Sequence, residues 1–107
     1  HARFTLGGQQ FIAMDGGLEH AFSFTPAISF YVNCLDQAEV DHFWDKLSEG
    51  GEKEMCGWLR DRFGVSWQIV PTALGELMSD PDPARVLRVT QAMLQMTRLD
   101  IAGLRAA

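Results

Sequence analysis

The chain has 107 residues, the length of one domain, with 47% hydrophobic and 21% charged residues, an ordinary globular balance. Nine Lys and Arg against fourteen Asp and Glu give a net charge of -5, which excludes a basic stripe that could neutralise nucleic-acid phosphates or dock on an anionic membrane. No apolar run approaches the roughly 18 residues that crossing a bilayer requires. His1-Ala2-Arg3-Phe4 runs straight into a strand-like segment with no leader pattern. Cys34 and Cys56 have no CxxC spacing and no nearby histidine, so they read as reduced thiols of a cytoplasmic protein.

In chain order, Arg3–Leu6 and Gln9–Met14 flank Gly7-Gly8, the pattern of a two-stranded hairpin. Asp15-Gly16-Gly17 ends the second strand, and Leu18 to Pro26 is a connector carrying Phe22 and Phe24. Ala27–Asn33 is the next strand, with Ile28, Phe30 and Val32 on one face and Ala27, Ser29 and Tyr31 on the other. Asp36 is a good N-cap, and Glu39 three residues on completes a capping-box-like pair. Val40, Phe43, Trp44 and Leu47 then follow at helical spacing until Gly50-Gly51 stops the helix.

Strands are expected over Met55–Arg60 and Val65–Val70, with Arg62-Phe63-Gly64 in the turn and a weaker strand at Glu52–Glu54. Pro71 ends the sheet and Thr72–Met78 forms a short helix. Ser79-Asp80-Pro81-Asp82-Pro83 opens a long helix whose apolar face carries Val86, Val89, Met93 and Met96. Asp100 starts a last short helix through Ile101 and Leu104. One helix between strands covers one face of the sheet and leaves the other free for a ligand or partner. Trp67 and Ile69 face the helix, and Ser66, Gln68 and Val70 face away.

The run from Cys56 to Pro71, CGWLRDRFGVSWQIVP, resembles the signature of the PhnB-like family of the vicinal oxygen chelate (glyoxalase/bleomycin-resistance) superfamily. Met14-Asp15-Gly16-Gly17 leading to Ile28-Ser29-Phe30, Phe43 to Gly51, and Ser79 to Pro83 leading to Met93-Leu94-Gln95-Met96 and Leu99 to Ala102 agree with it. The resemblance covers essentially the whole chain. It implies an α+β fold of two βαβββ modules closing around a small-molecule cavity. Residues 27–71 supply a complete second module, residues 1–26 the last two strands of the first with a connector, and residues 72–107 C-terminal helices, all in one structural domain. The opening strand, helix and second strand of the first module are missing. The expectation is a fragment, or else a shortened protein that completes its sheet with a second copy.

Metal enzymes of that superfamily hold a divalent cation with His and Glu or Gln from strands of both modules. Position by position, the resemblance puts Gln68 where the last strand's Glu stands, and Ile12 and Ala27 at two other ligand positions; the fourth belongs to the missing strand. Gln68 is a neutral group that supplies no charge and is no base at neutral pH. No metal site and no cofactor are therefore expected. Strand parity gathers Ile12, Met14, Ser29, Tyr31, Ser66 and Gln68, with Trp58, into an apolar cup with polar tips, the character of a small-molecule site. Against this stands the reading that the same side chains fill a closed interior or a dimer interface.

His1 stands at the chain start, His20 and His42 read as exposed, Cys56 as a buried inert thiol, Met93 and Met96 as core or interface, and Arg60-Asp61-Arg62 as a solvated turn. Many relatives carry the label demethylubiquinone methyltransferase. Gly7-Gly8 and Gly16-Gly17 lie in turns with no helix following, unlike the Gly-rich loop of common methyltransferase sites, so the residues do not support that label. The leading expectation is a small-molecule-binding domain, dimeric, with unassigned ligand. The rivals are a metal-dependent isomerase, lyase or dioxygenase whose ligands lie in the missing N-terminal part, and an antibiotic-sequestering resistance protein.

Overall fold

The computed structural model describes residues 1–17 and 19–107; Leu18, the first residue of the expected connector, lies outside them. A hairpin of β1 (Ala2–Leu6) and β2 (Gln9–Ala13) forms a two-stranded sheet of its own. Gly7 and Gly8 both take positive φ, as a two-residue turn between right-twisted strands requires. A second sheet holds β3 (Ser29–Cys34), β4 (Glu52–Lys53), β5 (Trp58–Arg60) and β6 (Ser66–Pro71) in the order β3-β6-β5-β4. β3 runs parallel to β6, while β5 and β4 are antiparallel additions. α1 (Gln37–Ser48) makes the crossover from β3. α2 (Thr72–Met78), α3 (Pro83–Leu94) and α4 (Ile101–Ala106) follow β6.

The helix-facing side of the sheet is built as its pattern requires. Val40 and Trp44 of α1 are buried against Cys34, Leu59 and Ile69, with Val32, Phe43, Leu47 and Trp67 around them. Asp36 caps α1 by accepting from the Glu39 N–H at 2.9 Å. Glu39 reaches back one residue further than a capping box does and accepts from the Leu35 N–H at 3.0 Å.

The other face is less open than the single-helix argument implies. Val70 points away from α1 yet is buried with Val89, Leu99 and Leu104, because α3, α4 and the loop joining them fold over that end of the sheet. Gln37 of α1 ties this helical unit down. Its amide donates to the Leu99 carbonyl at 3.1 Å, and its oxygen accepts from the Ile101 N–H at 2.8 Å. Asp100 stands at the N-cap of α4, but its side chain makes no capping bond; Gln37 does that work from another element.

The strand expected over Met55–Arg60 begins only at Trp58. Cys56 and Gly57 adopt φ of +60° and +81° and direct their N–H groups to the carbonyls of Met96 and Thr97, not to a strand neighbour. The weakly signalled strand near Glu52 is present as β4, held at its exposed edge by a 2.7 Å ion pair between Glu52 and Arg60, its register partner. Two charged residues on an edge discourage pairing with other chains.

Candidate functional site

Register fixes which side chains share the face away from α1. Gln68 stands opposite Tyr31 on one side and opposite Trp58 on the other, so β3, β6 and β5 present them as one row. The adjoining row is Ser29, Ser66 and Arg60. Across these rows the Gln68 amide donates to the Ser29 hydroxyl at 3.0 Å. That bond uses one amide hydrogen and leaves the Gln68 carbonyl oxygen and the Ser29 hydroxyl hydrogen available to a ligand. Tyr31 is exposed, Gln68 and Trp58 are half-buried, and Ser66 is buried.

Five of the seven expected pocket residues therefore lie on one sheet face: Ser29, Tyr31, Trp58, Ser66 and Gln68. Ile12 and Met14 do not join them. Ile12 is exposed on the separate hairpin, and Met14 follows it, also exposed. The hairpin meets the main sheet through Phe11, whose ring sits edge-on to Phe30 at 5.5 Å and stacks on Phe4 at 5.6 Å. Phe30 in turn packs on Trp67 at 5.0 Å.

The cavities follow this arrangement. One of about 500 Å³ lies between hairpin and α1, walled by Leu6, Phe11, Phe30, Phe43, Leu47 and Trp67. Tyr31 and Asn33 line it together with Phe30 and Val32, so it wraps the free edge of β3, a place strand parity alone did not single out. A second, of about 300 Å³, lies where the connector meets the start of β3 and β6, with Ser29 and Ser66 beside Phe24 and Ile28. Neither is lined by Gln68 or Trp58. The row around Gln68 is thus a wall of a site open on one side.

The donors around Gln68 do not fit a divalent cation. Its neighbours on the face are a serine hydroxyl, a phenol and an indole, where such an ion takes several carboxylate, carbonyl or imidazole ligands. Among the described residues no group of three or more His, Cys, Asp and Glu is placed to hold a metal ion. His20 stacks on Phe22 at 4.8 Å in the connector, and His42 lies on the exposed side of α1. Cys34 is fully buried, and burial first, then the Glu39 and Asp36 carboxylates, push its thiol up from 9.0 to about 11. It is inert at neutral pH.

Asp61 is the residue that sequence reasoning underrated. One carboxylate oxygen accepts from the Phe63 and Val65 N–H groups at 2.9 and 3.0 Å, and the other accepts from the Trp67 indole N–H at 2.9 Å. It organises the β5–β6 turn and orients Trp67 beneath the site. The Asp followed three residues later by Gly64 is an Asx-turn pattern that could have signalled it. Arg60 is engaged by Glu52, and Arg62 lies over the Phe63 ring at 4.8 Å.

A family model described as 3-demethylubiquinone-9 3-methyltransferase matches residues 1–70. The chain belongs to this PhnB-like family. A solved structure from Bacillus cereus, a PhnB protein described provisionally as a 3-demethylubiquinone-9 3-methyltransferase, is 40% identical with a TM-score of 0.62, over 64% of this chain and 61% of that one. The matched region thus spans less than two thirds of that PhnB protein. No curated protein matches. The PhnB likeness and the β3-β6-β5-β4 sheet with its C-terminal helices make the fold α+β and glyoxalase-like. No helix among the described residues is long and apolar enough to cross a membrane.

Proposed function

We propose that this chain is a small-molecule-binding module of the glyoxalase type, with its ligand on the face formed by Ser29, Tyr31, Trp58, Ser66 and Gln68. The observation that carries this reading is the hydrogen bond to Ser29 of the adjoining row made by Gln68, which itself stands between Tyr31 and Trp58. It leaves the Gln68 carbonyl oxygen, its second amide hydrogen and the Ser29 hydroxyl hydrogen for a ligand, the polar tips on an apolar wall that small-molecule sites use. No methyl transfer is assigned: the crossover from β3 to α1, Asn33-Cys34-Leu35-Asp36, has no glycine with which to cradle a cofactor.

The hairpin corresponds to the last two strands of the family's first module, and Ile12 and Met14 join the site only when such a hairpin is brought over the Gln68 face. A second copy supplies that closure and makes the protein a homodimer. The support is shape. The radius of gyration is 16.2 Å, where a compact chain of this length has about 13 Å. Met14, Phe22, Phe24 and Ile28 leave between 64% and 78% of their surface exposed in one continuous stretch of chain, more than a solitary soluble domain ordinarily presents.

Titration of isotopically labelled protein with a fragment library, followed by amide shifts, tests the site. Shifts gathering at Ser29, Tyr31, Trp58 and Gln68, and lost in Gln68→Leu, are expected. Shifts gathering at Phe11, Phe43 and Leu47 would move the ligand to the cavity under the hairpin and overturn the reading. Sedimentation showing a stable monomer at micromolar concentration would overturn the dimer.

A further inference from the structure

Cys56 is the one non-glycine residue with a left-handed backbone among the described residues, at φ +60°. Its Cβ crowds the following carbonyl in that conformation, so surrounding structure must impose it. The imposing groups are identifiable. The Cys56 N–H donates to the Met96 carbonyl at 2.7 Å, and the Gly57 N–H donates to the Thr97 carbonyl at 2.8 Å. Both acceptors lie in the loop between α3 and α4. The Gly57 carbonyl accepts from the Ile69 N–H at 2.8 Å, which joins the same turn to β6. Leu99 closes over it: a Cβ at Gly57 would stand 3.0 Å from Leu99 Cγ and 2.9 Å from the Ile69 oxygen. The loop is itself anchored from α1, where Gln37 holds the Leu99 carbonyl and the Ile101 N–H. The residue that follows this constrained pair is Trp58, beside Gln68 on the sheet face away from α1.

We propose that the C-terminal helical unit is a positioning element for the ligand face: its Met96–Leu99 loop holds Cys56 and Gly57 left-handed and thereby sets where Trp58 stands beside Gln68. Trp58 is the contacting residue. Cys56, Gly57, Leu99 and Gln37 act through it. This assigns a role to residues beyond 70, where the family match ends. It rests on the Gln68 face being the ligand face for its functional meaning, while the coupling is mechanical and measurable with no ligand present.

The test perturbs the anchor and reads the far end. In the full chain, Gln37→Leu removes both side-chain bonds to residues 99 and 101 without touching the sheet. Amide hydrogen exchange and the Trp58 indole resonance, assigned by comparison with Trp58→Phe, are measured by NMR. The expected result is exchange at Cys56 and Gly57 faster by about five- to tenfold, the factor that loss of a net hydrogen bond gives, and a displaced Trp58 indole signal. Exchange at Val32 and Asn33, in the β3–β6 ladder, should not change. A merely structural role for Gln37 would speed all of these in step, and either that result or unchanged exchange at Cys56 and Gly57 overturns the proposal. Adding Cys56→Gly, which adopts the left-handed conformation freely, should return the indole signal toward its original position. Adding Cys56→Ala should not, and equal rescue by both would overturn the role of backbone strain. Should Gln37→Leu fail to fold, Gln37→Glu keeps the acceptor for Ile101, loses the donor to Leu99, and is read in the same way. A failed fragment titration with the coupling intact would remove the ligand face and leave the mechanics standing.

Discussion

Replacing Asp61 tests whether the β5–β6 turn and Trp67 are held by one carboxylate. In Asp61→Ala the Phe63 and Val65 N–H groups and the Trp67 indole N–H all lose their acceptor. The two backbone groups sit at a turn where water can replace the carboxylate, so each is worth about 0.5–1 kcal/mol. The indole N–H is half-buried between Phe30 and the α1 layer and is less easily rehydrated; its loss costs about 1–2 kcal/mol. The sum is about 2–4 kcal/mol. Asp61→Asn separates the contributions. Its amide oxygen can serve the backbone pair or the indole, but its NH₂ then faces another donor, so a loss of about 1–2 kcal/mol is expected. Urea unfolding gives both numbers, and thermal unfolding should drop by about 10 °C or more for Asp61→Ala. Near-ultraviolet circular dichroism should report a reoriented Trp67 in both variants. If Asn is indistinguishable from the natural residue, one of the two sets of bonds contributes nothing, and a single carboxylate does not hold both the turn and Trp67. If Asn and Ala are equally damaging, the turn bonds contribute nothing.

The remaining predictions concern close approach and ionisation. A Cβ at Gly51 would run into the Arg60 carbonyl oxygen and lie 2.8 Å from the Asp61 carbonyl carbon, so Gly51→Ala must displace β4 from β5; a loss of about 3 kcal/mol in urea unfolding is expected. Gly75, in α2, has no atom within 4 Å of an added Cβ, so Gly75→Ala should gain up to about 1 kcal/mol, and a measured loss would contradict the placement of α2. Because the folded Cys34 thiol is pushed up from 9.0 to about 11, its neutral form favours folding. That contribution is complete below pH 9 and is lost as pH rises through 11, at most about 3 kcal/mol. Stability measured across that range should fall with a slope that Cys34→Val lacks, and an identical slope in the variant would dismiss the effect. In native protein a thiol reagent at pH 8 should label Cys56, half-buried, well before Cys34, fully buried.

Periodicity made the helix-facing half of the molecule legible. Val40, Phe43, Trp44 and Leu47 repeat at helical spacing and Trp67 and Ile69 at strand spacing, so burial of one set on the other follows from each pattern separately. The cap at Asp36 was legible for the same local reason. Contacts between elements distant in sequence were not. Gln37 is 62 and 64 residues from its partners, and nothing in the first turn of α1 signals that it caps α4. The Cys56–Gly57 turn reads as strand because its neighbours are apolar, and only carbonyls some forty residues away divert its N–H groups. On the candidate face, parity placed Ser29, Tyr31, Trp58, Ser66 and Gln68 together because they share one sheet. It could not place Ile12 and Met14, whose hairpin forms no ladder with that sheet.

The Tyr31–Gln68–Trp58 row is a wall, and a wall binds a small molecule weakly because most of the ligand's surface stays in water. The cavity of about 500 Å³ lies under the hairpin, where apolar rings meet beside the polar side chains of Gln9, Tyr31 and Asn33. Gln68 and Trp58 line neither that cavity nor the one beside Ser29 and Ser66, so the centre of the row stays uncovered. In the proposed dimer the hairpin of a second copy would cover that face, bringing Ile12 and Met14 to Tyr31 and Trp58 and covering the exposed Met14, Phe22, Phe24 and Ile28. The prediction is that fragment affinity for this face rises with protein concentration in parallel with self-association. Met14→Glu, which leaves the buried core untouched, should weaken both together; loss of self-association with fragment binding unaltered would show that the face needs no second wall.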